Sequence, residues 1–301
     1  MLVITPISKM ISQHPRIGPY WRLVRMDKPV GSLLILWPTL TSLWIAAKGD
    51  PSLGLIVIFT LGTLLMRAAG CAINDYADRH LDGAVARTAN RPLATGELAP
   101  KNALWCFATL CLIAFGLVLL TNTLTIGMSF VGALLAGIYP FLKRITHLPQ
   151  VWLGLAMNWG IMMAYTAQAG HLTAGIWIFF AATLCWTIAY DTFYAMVDRD
   201  EDIQAGIKSI AILFGKQDRL ITGVFQFTTL LGLMMTGVFF GLGLPFLLLS
   251  IVGSSSLFGY QQFLIRHRNP EDCFRAFMNN RWVALLIFAG VALDFLISSQ
   301  L

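Results

Sequence analysis

Eight of the fifteen acidic residues fall in two short segments, and their spacing is what gives them chemistry. The first segment reads Asn74-Asp75-Tyr76-Ala77-Asp78-Arg79-His80-Leu81-Asp82; the second runs from Asp191 through Asp198-Arg199-Asp200-Glu201-Asp202. Both contain Asp, then Arg, then an Asp four after the first, so Asp78 corresponds to Asp198 and Asp82 to Asp202 at an offset of 120 residues. On a continuing helix, residues four apart lie about 40° apart around the axis. Asn74, Asp78 and Asp82 then form one oxygen-rich stripe and Asp198 and Asp202 a second, with Asp191 two turns earlier on nearly the same face. Carboxylates this close repel one another and are costly near a bilayer unless a cation neutralises them. Oxygen-only donors suit Mg²⁺, a hard ion that takes one or two carboxylates plus waters and substrate phosphate oxygens, and the lack of nearby His or Cys pairs argues against zinc or iron.

Basic residues accompany the acids. Arg79, Arg87, Arg91, Arg199 and Lys208 lie in the same two segments, Lys143 and Arg144 follow a later apolar run, and Arg67 stands seven residues before Asn74, pointing the same way. Acids that hold a metal beside bases that hold an anion describe a site for a metal-bridged polyphosphate. Arg67, Arg79, Arg144 and Lys208, with Asp75 beside the first stripe, are the expected substrate-binding residues. Retention on one side of a membrane is the better account of Lys216, Arg219, Arg266 and Arg268. Tyr139, Tyr190, Tyr194, Trp152, Trp159 and Phe193 are aromatic candidates for shielding a cation formed beside such a site.

The elements that must position these residues are membrane helices. The chain has 301 residues, 57% of them hydrophobic and 12% charged, about half the charge of a soluble domain. That composition excludes a water-soluble surface, a disordered chain and a disulfide scaffold. Cys71, Cys106, Cys111, Cys185 and Cys273 show no CxxC spacing and read as small core residues. Apolar runs near 30–47, 51–73, 102–121, 123–142, 150–169, 173–195, 219–239, 243–260 and 281–299 predict an all-α polytopic membrane protein with nine transmembrane helices. Pro38, Pro140 and Pro245 are expected to kink or end their helices. The chain reads as one domain, 1–301, with an N-terminal arm (1–29) and two motif-bearing loops, 74–101 and 196–218. No cleavable signal is evident in the arm. The arm and the loops after spans two, four, six and eight hold 19 of the 21 Lys and Arg. Positive residues stay inside, so the N-terminus and both motifs are expected on the cytoplasmic side and the C-terminus on the other. The net charge of +6 is thereby explained by topology, and no nucleic-acid partner is expected.

The stretches NDYADRHLDGAVARTANRPLATG at 74–96 and DTFYAMVDRDEDIQAGIKSIAILFG at 191–215 resemble the two aspartate-rich motifs of the UbiA superfamily of intramembrane prenyltransferases. RMDKPVGSLLILWPTL at 25–40 and YPFLKRITHLPQVWLGLAMNWG at 139–160 agree with it. The combination is more similar to the bacterial branch acting on 4-hydroxybenzoate in ubiquinone synthesis than to the haem O, menaquinone or chlorophyll branches.

What the resemblance implies is a helix bundle around a central cavity with two loops as a cap, in the bacterial inner membrane. A polyprenyl diphosphate and 4-hydroxybenzoate would be the substrates and Mg²⁺ the cofactor. Asn74, Asp78, Asp82, Asp198 and Asp202 match the metal and diphosphate stripes, and Tyr139 and Lys143 match a family pair beside the diphosphate. For a phenolic acceptor, Asp191 is the candidate to accept or orient the phenolic proton, with Arg67 or Arg144 pairing the carboxylate. Two rivals fit less well. A cation transporter gives no reason for the basic cluster. The CDP-alcohol phosphatidyltransferase signature, suggested by Asp82-Gly83-Ala84-Val85-Ala86-Arg87, requires aspartates where Arg79, Pro100 and Leu104 stand.

Overall fold

The computed structural model describes residues 6–80, 82–84, 88–142 and 145–299. Its helices are α1 (Pro6–Ser12), α2 (Gly18–Leu23), α3 (Val30–Ala46), α4 (Leu53–Asp78), α5 (Pro100–Val118), α6 (Thr123–Leu142), α7 (Pro149–Ala169), α8 (Ala174–Val197), α9 (Arg199–Gln204), α10 (Ile210–Phe214), α11 (Asp218–Phe240), α12 (Leu244–His267, including a π-helical stretch at Leu247–Gly253) and α13 (Pro270–Ser298). No strand occurs among the described residues.

Nine of the described helices, α3 to α8 and α11 to α13, have 17 residues or more and coincide with the nine apolar runs. Seven are long and apolar enough to cross a membrane: α4, α5, α6, α8, α11 with the turn before it, α12 and α13. The other two differ for physical reasons. The 17 residues of α3 span only about 26 Å, short of a hydrocarbon core of about 30 Å, and α7 interrupts its apolar run with Gln150, Asn158 and Gln168. The last helix starts at Pro270 rather than near 281, because its first turn is polar; Glu271 and Asp272 sit at its positive end. Pro245 opens α12 instead of breaking a helix, α3 continues past Pro38, and Pro140 lies in the last turn of α6.

Local chemistry sets the ends. Ser52 caps α4 by accepting from the Leu55 N–H at 3.2 Å, and Ser209 caps α10 by accepting from Ile212 at 3.3 Å. Gly170, at φ +76°, turns the chain out of α7 in a conformation that glycine adopts without steric cost. Asp294, buried in α13, accepts from the N–H groups of Gly243 and Phe246 at 2.8 and 3.2 Å and so caps α12. This intramembrane acid therefore has a structural role.

α8 is the central helix, packed against α7, α11 and α13. Phe179, Trp186, Tyr190 and Phe193 are almost wholly buried on it, as expected for a helix apolar on every face. Its polar groups are satisfied internally: the Trp186 indole donates to Asn280 at 2.8 Å and the Asn158 amide to Thr187 at 2.8 Å. By contrast Leu112, Ile113, Phe130, Leu134, Phe227 and Val238 are exposed on the outer faces of α5, α6 and α11, which suits contact with lipid. All five cysteines are free, and Cys71 and Cys273 are buried.

Candidate active site

The first acidic motif ends α4. Asp75, only 1% exposed, accepts from Arg25 Nη2 at 2.7 and 2.9 Å and is bridged by Arg91 Nη1 at 3.0 Å; the same Arg91 nitrogen reaches both oxygens of Asp82 at 2.9 Å. Two guanidinium groups thus hold two carboxylates in one network. The helix stops at Asp78, and Asp82 lies beyond it on a 3-10 turn at Asp82–Ala84, so the expected stripe of Asn74, Asp78 and Asp82 is not one continuous helical face. The break has a local cause: Arg79 folds back to donate to the Tyr76 carbonyl at 2.7 Å, with its guanidinium 4.4 Å from the Tyr76 ring, satisfying an end carbonyl of α4. Burial pushes the Asp82 carboxyl up, against the opposing pull of Arg91. Nearby, the Arg22 hydrogen bond holds the Glu97 carboxyl below its usual range and ties the N-terminal arm to this loop.

The second motif continues from α8. The chain bends at Asp198, yet the Asp202 N–H still donates to the Asp198 carbonyl at 2.8 Å, so the two residues remain one turn apart across the break. Lys208 donates to the Ile145 carbonyl at 3.1 Å, and the Ile210 N–H donates to buried Gln150 at 3.2 Å. These contacts join the loop after α8 to the connection between α6 and α7. Arg199 turns to Asp218 at the start of α11.

One acid from each motif acts electrostatically on Tyr139. Asp78 of α4, Asp191 of α8, Arg67 and Tyr194 all lie within electrostatic reach of its phenol. Tyr190 is likewise within reach of Asp191 and Arg67. Arg67 packs on the first turn of α3, where a Cβ at Gly31 would lie 2.6 Å from its Nη2, so any larger residue there would displace the guanidinium. An aromatic wall closes one side: Trp186 and Tyr190 ring centroids are 5.0 Å apart, and Tyr194 and Phe277 are 4.9 Å apart. Trp159 donates to the Met128 carbonyl at 2.8 Å and packs edge-on against Phe180. Lys143, Arg144 and Arg87 lie outside the described residues.

The donors suit a hard cation by type: Asn74, Asp78, Asp82, Asp198 and Asp202 offer only oxygen through their acceptors. Among the described residues no three His, Cys, Asp or Glu side chains converge as a ready-made cage. Oxygen donors of this type fit Mg²⁺, which is held by few carboxylates and completes its shell with waters and substrate oxygens. Arg25, which holds Asp75, escaped the sequence reading as a site element because the two are 50 residues apart in the chain.

Residues 35–293 match the UbiA prenyltransferase family. A protein of Saccharophagus degradans named 4-hydroxybenzoate octaprenyltransferase is 55% identical over 280 residues, covering 93% of each chain. One of the same name from Tolumonas auensis is 56% identical over 275 residues, 91% of this chain and 96% of that one. Among solved structures, the apo form of a UbiA homolog from Aeropyrum pernix K1 superposes with a TM-score of 0.78 at 24% identity, covering 90% of this chain and 98% of that one. A homolog from Archaeoglobus fulgidus bound to GPP and Mg²⁺ gives 0.68 at 18% identity, covering 91% and 99%.

Proposed function

The chain belongs to the UbiA prenyltransferase family, and on that premise we propose that it transfers a polyprenyl group from polyprenyl diphosphate to the ring carbon beside the hydroxyl of 4-hydroxybenzoate, the prenylation step of ubiquinone synthesis. The acceptor is the one in the names of relatives more than half identical over most of their length. The octaprenyl tail in those names is the proposed donor chain.

The observation that supports this chemistry is that Asp78, Asp191 and Arg67 all lie within electrostatic reach of Tyr139. In this reading Asp78 is a metal-binding carboxylate, Asp191 the proton acceptor and Arg67 the cation. Asn74, Asp78, Asp82, Asp198 and Asp202 would hold Mg²⁺, which supplies charge neutralisation for the departing diphosphate. Lys143, Arg79, Lys208 and the Arg25 and Arg91 network bind and orient its outer oxygens. When the allylic C–O bond breaks, the aromatic wall of Tyr190, Tyr194 and Phe277 excludes water from the carbocation. Asp191 takes the phenolic proton, raising the nucleophilicity of the adjacent ring carbon. That carbon forms the new C–C bond and then loses its own proton. Arg67 pairs with the acceptor carboxylate, and Arg144 is the alternative partner. A panel of phenolic acids offered with octaprenyl diphosphate and Mg²⁺ to purified protein should give prenylated product from 4-hydroxybenzoate above all others, and preference for another acceptor would overturn the assignment.

Two further expectations follow from this reading. Gly31→Ala should displace the Arg67 guanidinium and raise KM for 4-hydroxybenzoate several-fold with the donor KM unchanged; steady-state kinetics with each substrate varied checks this. Orientation rests on the 19 of 21 positive residues assigned to one side. All nine long helices are proposed to span as a single domain around a central cavity, with the two motif loops capping it from the cytoplasm. An introduced cysteine at exposed Asn90 should label only from the cytoplasmic face of the inner membrane, and one at exposed His171 only from the opposite face; the reverse pattern would place the chemistry in the wrong compartment.

A further inference from the structure

α11 presents two faces. Thr222, Gln226, Thr229 and Leu233 are buried in the bundle, whereas Leu220, Val224 and Phe227 are exposed on the other side. On that outer side lies a groove of about 640 Å³ lined by Arg219, Leu220, Gly223, Val224 and Phe227 of α11 and by Gln262 of α12. Both helices are long and apolar enough to cross a membrane, so the groove opens to lipid rather than into the bundle.

The groove is preformed. Gln262 Nε2 donates to Thr222 at 3.2 Å and to Gln226 at 2.9 Å, and Gln226 in turn donates to Gln261 at 2.8 Å, which fixes the distance between the two helices. Gly223 adds room, since a Cβ there would meet only the Gln262 side chain, at 3.6 Å. One end of the groove is positive. Arg219 is in the first turn of α11, and Arg266 stands four residues after Gln262 at the end of α12, its guanidinium 3.6 Å from the centroid of the exposed Phe263 ring. Neither arginine is paired with an acid among the described residues, and the neighbouring Asp218 is already held by Arg199 and Arg268. Retention on one side of a membrane accounts for the side these arginines occupy, but not for their standing at the head of an apolar groove.

Two cations at the ends of spanning helices, above an apolar channel that runs about 12 Å from Arg219 to Phe227, match a phospholipid from headgroup to chain. We infer that this groove is a binding site for an anionic glycerophospholipid of the bilayer, with the phosphate at Arg219 and Arg266 and an acyl chain along Gly223, Val224 and Phe227. Basic pockets between membrane helices take anionic headgroups for this reason. A zwitterionic lipid fills the same channel but gains less, because its ammonium group meets two like charges.

The test is native mass spectrometry of the purified full-length chain in detergent, titrated with dioleoyl phosphatidylglycerol or dioleoyl phosphatidylcholine. The tightest phosphatidylglycerol site should bind about thirtyfold more strongly than phosphatidylcholine, the worth of two arginines at an anionic headgroup. Arg219→Gln with Arg266→Gln should abolish that preference and leave phosphatidylcholine binding unchanged. Both side chains are exposed, so the bundle is expected to keep its lipid-free thermal stability. Gly223→Leu, which fills the channel and leaves both arginines in place, should weaken phosphatidylglycerol about tenfold by lifting the chain off the helix. Equal binding of the two lipids by wild type, or an undiminished preference in the double arginine variant, would overturn the inference. Phosphatidylglycerol binding untouched by Gly223→Leu would also overturn it, by reducing the site to surface attraction. Displacement of the lipid by an equal concentration of glycerol 3-phosphate would do the same, since the free anion would then be the ligand.

Discussion

Asp78→Asn and Asp198→Asn, made separately, are each expected to leave the bundle folded and lower kcat by about a thousandfold. Asparagine is nearly isosteric with aspartate, so packing at the buried ends of α4 and α8 changes little. What is lost is one unit of negative charge from a set that must hold Mg²⁺ against a departing diphosphate. Both losses should be partly recovered by raising Mg²⁺, because a weaker site fills at higher concentration. The measurement is kcat at saturating donor across a Mg²⁺ titration, with thermal stability recorded in parallel. Turnover like wild type in either variant at limiting Mg²⁺ would refute a site shared between the two motifs.

The second large effect separates two residues near Tyr139 by kinetic signature. Asp191→Asn should lower kcat by about a thousandfold, within the range for removing a positioned general base, with little change in KM for 4-hydroxybenzoate. Arg67→Gln should do the reverse, raising that KM by about thirtyfold through loss of a charged hydrogen-bonded pair, with the donor KM near wild type. The opposite signs follow from the opposite needs of the acceptor, whose phenol must lose a proton while its carboxylate must keep a counter-charge. A rise in donor KM in Arg67→Gln would move this arginine to the diphosphate and leave Arg144 as the carboxylate partner.

Much of the architecture was legible in the sequence because it depends on one-dimensional patterns. Apolar runs of about 20 residues located the long helices, and the offset between Asp78 and Asp198 pointed to two corresponding acidic ends. The errors arose where side chains override the pattern. Asp82 does not continue the α4 stripe, because the chain turns after Asp78 and Arg79 folds onto Tyr76. The last helix begins with the polar turn at Pro270, which a hydropathy reading discards. Partner choice was the least legible feature. Arg199 reads as a phosphate-binding base from its place in the motif but is taken by Asp218, and Asp75 meets Arg25 and Arg91 only because the arm and the loop after α4 fold together. Nothing in spacing along the chain reports contacts over such separations.

The central claim, carbon prenylation of 4-hydroxybenzoate, is tested most directly by isotope retention. Purified protein is given octaprenyl diphosphate, Mg²⁺ and 4-hydroxybenzoate carrying deuterium at all four ring positions, and the product is weighed by mass spectrometry. Attack from the carbon beside the phenol expels one ring deuteron, so the account predicts a product with three deuterons whose formation stops when the metal is chelated. A product retaining all four deuterons would mean transfer to oxygen, and formation of product without divalent metal would contradict the role assigned to the acidic motifs.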